Sequence, residues 1–193
     1  MKKNRIMIII WLSLSVLCIG SCYMLKFSWI GWNRIDSLED LALDEEDFPP
    51  GWEVDYVIPI KSDWLNYGEQ HISANISPKD GSGNATQMIF HFRNVFSAMW
   101  GYNIIRDKLV IVKENELTVT EYTSPIADKW SMTCFVTGKQ VELCDVISRY
   151  EDIVVYFGIT TERGQLSPEE YTKILKGIDD RIGRALNKTP AGE

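Results

Sequence analysis

The chain has 193 residues, 11% of them aromatic, with 20 Lys and Arg against 27 Asp and Glu and a formal net charge of −7. That length suits one domain with a sizeable core, and the aromatic content excludes a disordered chain. The acidic balance excludes a nucleic-acid binder, which needs a basic footprint.

Ile6 to Leu25 contains no charged residue, follows Lys2, Lys3 and Arg5, and precedes Lys26. As a helix it is about 30 Å long, enough to cross a hydrocarbon core. It lacks the polar face that a core helix of a soluble domain shows. The basic flank keeps the N-terminus in the cytoplasm and places everything after it on the extracytoplasmic side of the cell membrane. Two readings are open: an uncleaved transmembrane anchor, or a signal peptide. Ile19-Gly20-Ser21-Cys22 resembles the lipobox of bacterial lipoproteins, and that resemblance implies cleavage before Cys22 and lipid on its sulfur. The apolar run continues through Tyr23, Met24 and Leu25, which suits a spanning helix better. Either reading makes the membrane a partner through this segment.

The chain then divides into the signal or anchor (1–25), an acidic juxtamembrane linker (26–47), one α+β domain (48–187) and a loose tail (188–193). Beyond the anchor 17 basic residues face 27 acidic ones. This excess argues against the domain lying flat on anionic lipid. Phe27, Trp29 and Trp32 suit an aromatic belt at the interface. The acidic run from Asp36 to Asp47, broken by Leu38, Leu41 and Leu43, reads as a solvated linker face. It lacks the spacing of a calcium loop.

Phe48-Pro49-Pro50-Gly51-Trp52 is a stop and a turn. Trp52, Val54, Tyr56, Ile58 and Ile60 alternate with polar residues, which predicts a half-buried strand, with Pro59 at its end or at an edge. Residues 69–76 and 85–92 alternate likewise and predict a hairpin around the loop 78–84. Asn94 is a candidate N-cap for a helix over 95–109. Leu117 to Tyr122, rich in Thr and Val, predicts a strand that Ser124-Pro125 ends.

Trp130, Met132, Cys134 and Val136 alternate, and a turn at Thr137–Gln140 returns the chain at Val141. A three-residue loop there puts Cys134 opposite Cys144. Directly opposed Cβ atoms lie about 4.5–5.5 Å apart, so a disulfide needs only modest adjustment. In an oxidising compartment that ring stabilises by roughly 3 kcal/mol. The spacing does not fit a redox-active Cys-x-x-Cys pair. Ile153 to Thr160 is the most apolar strand and is expected to be central. Ser167-Pro168-Glu169-Glu170 is a capping box that opens a helix through about Leu186. The sum is an α+β fold with a largely antiparallel sheet and two main helices on one face.

The motifs that would carry chemistry are sparse. No Gly-x-Ser-x-Gly elbow or phosphate loop occurs, and no cofactor is implied. His71 and His91, the two histidines, fall on neighbouring predicted strands where they could meet. Two ligands are too few for a metal, and the expected reading is two isolated surface histidines. Asn75, Asn84 and Asn187 match glycosylation sequons, read as chance in a bacterial chain. The Phe48–Trp52 entry, the paired cysteines and the final helix are similar to uncharacterised bacterial membrane-anchored domains, some compared with a PsbP-like α+β fold. The similarity spans Phe48 to Leu186 and implies no activity. The expected function is a non-enzymatic, membrane-tethered domain that binds a protein, an envelope component or a small ligand. The alternative is an extracytoplasmic hydrolase with a site including His71 and His91.

Overall fold

The computed structural model describes residues 35–59, 70–110, 119–137 and 140–188. The predicted membrane segment, Cys22 and the aromatic belt lie outside them. Six strands form one antiparallel sheet: β1 (Trp52–Pro59), β2 (Gln70–Pro78), β3 (Asn84–His91), β4 (Lys129–Val136), β5 (Val141–Tyr150) and β6 (Ile153–Glu162). Their order is β1-β2-β3-β6-β5-β4, which leaves β6 inside and β1 and β4 at the rims. Helix α1 (Val95–Leu109) follows β3, and α2 (Pro168–Leu186) closes the domain. Both predicted caps form. Asn94 accepts from the Ser97 amide at 2.8 Å, and Ser167 and Glu170 complete a reciprocal capping box.

The two helices do not share a face of the sheet. Ile174, Leu175, Ile178 and Ile182 of α2 pack with Ile89, Val155, Phe157 and Ile159. Ala98, Tyr102 and Ile105 of α1 pack with Phe90, Ile147 and Val154 on the other side. The cause lies in β6. Its residues are apolar at both parities, so both sides of the central strands need cover. A single helix with one apolar stripe covers only one of them.

The acidic stretch before Phe48 is not a solvated linker over its whole length. Leu38, Leu41, Ala42 and Leu43 are buried against α2. Two short 3-10 turns, Glu39–Leu41 and Glu45–Asp47, shape it. The Leu43 amide donates to Oε1 of Gln87 on β3 at 2.7 Å. Arg181 of α2 reaches Asp44 at 2.6 Å and Asp47 at 2.7 Å. Gly177 makes room for this approach, since a Cβ there would lie 2.5 Å from Asp47 Oδ1.

A second close approach sits on α1. A Cβ on Gly101 would lie 2.1 Å from Cζ of Phe92. Gly101→Ala raises helix propensity by about 1 kcal/mol. It is nonetheless expected to lower the unfolding free energy, by about 1–3 kcal/mol, because the buried Phe92 ring must move. Urea denaturation checks this, and a stabilised variant would refute the packing argument.

Candidate functional site

The hydroxyl-bearing segment 119–127 is where polar chemistry concentrates. The predicted strand here does not join the sheet. Residues 119–124 have no regular secondary structure and lie across a cleft from β4, and Leu117 and Thr118 lie outside the described residues. Side chains hold the segment down. Thr120 Oγ1 lies 2.8 Å from Thr172 Oγ1 of α2, and Tyr122 packs edge-on against Trp130 of β4 at 5.8 Å.

The strongest anchor is Asp179, which lies on the buried stripe of α2 and is 3% exposed. Its Oδ1 accepts from Ser124 Oγ at 2.7 Å and from the Tyr150 hydroxyl at 2.6 Å. Its Oδ2 accepts from the Tyr122 hydroxyl. Ser124 Oγ in turn accepts from the Ala127 amide at 2.9 Å. A carboxylate that receives three hydroxyl donors suits a structural clamp, since every donor is already engaged. Burial, then the charge of Asp179, pushes the Tyr150 phenol well above its ordinary pKa. Sequence reasoning passed over Asp179. The available signal was an acid four residues after Leu175 and three before Ile182, inside an apolar stripe.

Between the clamped segment and β4 lies a cleft of about 410 Å³, within the size range of small-ligand sites. Trp130 through Cys134, residues of both parities, line it, so it follows the rim of the strand. Thr120, Glu121 and Thr123 line the opposite wall. Cys134 pairs in register with Cys144, with Cα atoms 4.1 Å apart, and the predicted disulfide joins them. That short separation marks a non-hydrogen-bonded pair. At Trp130, Met132 and Cys134, therefore, N–H and C=O point away from β5 and toward the cleft. Among the described residues β4 pairs on one side only.

The two histidines are not brought together. His71 lies opposite Phe90, whereas His91 lies opposite Gln70, so the alternating pleat sends them to opposite faces. They cannot form one site. They are separate, as expected, but not on the surface: that expectation took both strands to be half-buried, whereas both faces of the sheet are covered and His71 is buried. His71 stacks on Phe90 at 5.5 Å. His91 Nε2 approaches Asp152 Oδ2 at 3.4 Å on the other side. Among the described residues no group of three or more His, Cys, Asp and Glu side chains is placed to hold a metal ion.

Burial lowers the pKa of His71 below its ordinary value. A histidine kept neutral by folding contributes stability above about pH 6.5, and this is lost as pH falls through that value. The urea midpoint is expected to drop between pH 7 and pH 5, and His71→Gln to flatten that slope. An unchanged slope in the variant would remove His71 as its source.

The architecture defined by these elements is an α+β domain with a two-sided antiparallel sheet and a disulfide at one rim. No protein-family model matches the chain, and no curated protein matches it. Among solved structures it is similar to the extracellular domain of PknH from Mycobacterium tuberculosis. The TM-score is 0.52 at 11% sequence identity, over 76% of this chain and 94% of that one. At that identity the likeness is one of fold.

Proposed function

We propose that this chain is a non-enzymatic extracytoplasmic domain, tethered to the membrane by Ile6–Leu25, that binds an extended peptide along the free rim of β4. The observation that carries the reading is the cleft, where outward N–H and C=O groups of β4 face Thr120, Glu121 and Thr123 across it. An added strand satisfies such groups, and the flanking side chains select what enters. The disulfide fits an oxidising compartment, and the fold likeness to an extracellular domain points the same way. The hydrolase reading loses its concrete residues once His71 and His91 lie on opposite faces.

The test places a photo-crosslinking amino acid at Thr123, an exposed position in the cleft wall. A matching label goes at Lys176, exposed on α2. Irradiation of whole cells is expected to give a covalent adduct from position 123 that position 176 does not give. Adducts mapping to an extended segment of an exported protein support the reading, and no adduct at position 123 refutes it. The intact mass of the membrane-extracted protein separates the two tethers. A chain beginning at acylated Cys22 is the lipoprotein, and a full-length chain carries the spanning anchor.

A further inference from the structure

The segment that walls the cleft has the makings of a further strand. Val119, Thr120, Tyr122 and Thr123 are residues that favour strands. Residues 124–128 join them to Lys129, where β4 begins. Strands adjacent in sequence and joined by so short a loop ordinarily pair as a hairpin. The loop is already turned: Ser124 Oγ accepts from the Ile126 amide at 3.3 Å and from the Ala127 amide at 2.9 Å. A loop of that length sets Tyr122 opposite Trp130, Glu121 opposite Ser131 and Thr120 opposite Met132. Tyr122 already touches Trp130. Trp130 and Met132 pack against the core on the α2 side, the side from which Thr172 and Asp179 hold Thr120 and Tyr122. Face and register therefore both suit β4. Yet among the described residues no backbone hydrogen bond joins residues 119–123 to β4, and the cleft lies between them.

One side chain stands in for the absent pairing. Thr120 Oγ1 accepts from the Tyr122 amide at 3.1 Å and pairs with Thr172 Oγ1 of α2 at 2.8 Å. We propose that Val119–Thr123 is a strap that closes onto the rim of β4 as a seventh strand, with Thr120 as the latch that holds it open. Closure gives up the two bonds of the Thr120 hydroxyl and gains backbone bonds at Trp130 and Met132, whose N–H and C=O face the cleft. The Asp179 clamp on Tyr122 and Ser124 stays in place and serves as the hinge. A strap in the same chain reaches the rim at high effective concentration. Peptide and strap then compete for one rim, and the balance between latched and closed strap sets how often the cleft is open. The gating rests on the peptide reading above, whereas the closure does not.

The test uses the full chain in membranes. Glu121→Cys is combined with Ser131→Cys, directly opposite in the closed register, or with Lys129→Cys, on the diagonal. Directly opposed Cβ atoms lie about 4.5–5.5 Å apart and diagonal neighbours about 7–8 Å, too far for a disulfide. After mild oxidation with diamide, mass spectrometry of the digested chain separates the new link from that of Cys134 with Cys144. A link is expected in the 121–131 pair only, and adding Thr120→Val is expected to raise its rate several-fold. No link, or equal yields in both pairs, overturns the closure and leaves the peptide reading standing. In cells, Thr120→Val is expected to lower the photo-adduct from position 123 several-fold. An unchanged adduct beside a faster link overturns the gating. A lowered adduct without the link assigns the loss to the missing hydroxyl and also overturns the strap. If the parent gives no adduct, the peptide reading and the gating fall together, and the ratio of the two links still decides the closure.

Discussion

Asp179→Ala is expected to lower the unfolding free energy by about 3–5 kcal/mol, the range for removing one partner from a buried charged network. Three donors lose their acceptor at once: the hydroxyls of Tyr122, Ser124 and Tyr150. Each stranded donor costs about 1–3 kcal/mol if buried, and water entering the half-buried segment 119–127 relieves part of that. The loss is therefore local as well as global. The Ala127 amide, held by Ser124 Oγ, is expected to exchange faster in the variant than amides of β6. Asp179→Asn keeps one carbonyl acceptor and is expected to lose less. Urea denaturation and amide exchange check both parts. A variant within about 0.5 kcal/mol of the parent, the range of ordinary surface substitutions, would show that the carboxylate clamps nothing.

The second large effect lies at alkaline pH. The phenols of Tyr150 and Tyr171 are buried and held above their ordinary pKa. For both, burial is the leading cause. Tyr150 also faces Asp179, and Tyr171 donates to Glu142 at 2.6 Å. The unfolded chain releases these protons near pH 10, whereas the folded chain retains them, so stability falls as pH rises above that value. Each phenol costs about 1.4 kcal/mol per pH unit, so the pair costs roughly 3. A domain stable by about 5 kcal/mol, the low end of the ordinary range, is expected to unfold cooperatively within about two pH units above 10. Phenolate absorbance from these tyrosines should rise together with the loss of sheet circular dichroism. Titration of every tyrosine near pH 10 with the sheet intact would contradict the buried pairs.

Much of the architecture was legible in local pattern. The strands announce themselves by alternation, the caps by Asn94 and by Ser167 with Glu170, and the disulfide by the turn that sets Cys134 against Cys144. The continuous apolar run of β6 announces a strand covered on both sides, and β6 does lie inside the sheet. That run has a second implication, cover for both faces, which the expectation of two helices on one face left unused. Met88 and Phe90 look inward by pattern, yet so do Ile89 and Ala85, and only the tertiary fold decides which face each one meets. The segment 119–124 has strand composition, but its Thr, Tyr and Ser side chains find partners in α2 before its backbone finds a strand. Those partners are about 50 residues away in the chain, and no local signal reports them. The cleft is a product of that same long-range bonding and was equally hidden.

The seam between residues 35–47 and α2 also has a mechanical meaning. In a tethered domain any pull from the membrane enters the fold at Ile35. It meets Leu38, Leu41 and Leu43, then the two contacts of Arg181 with Asp44 and Asp47, before any sheet hydrogen bond is loaded. This seam would yield one contact after another, like a strip being peeled, whereas the sheet strands would have to rupture many hydrogen bonds at once. In a chain so tethered Arg181 would act as a fuse. Under traction the connection would lengthen by the residues released, and the sheet with its β4 rim would stay whole.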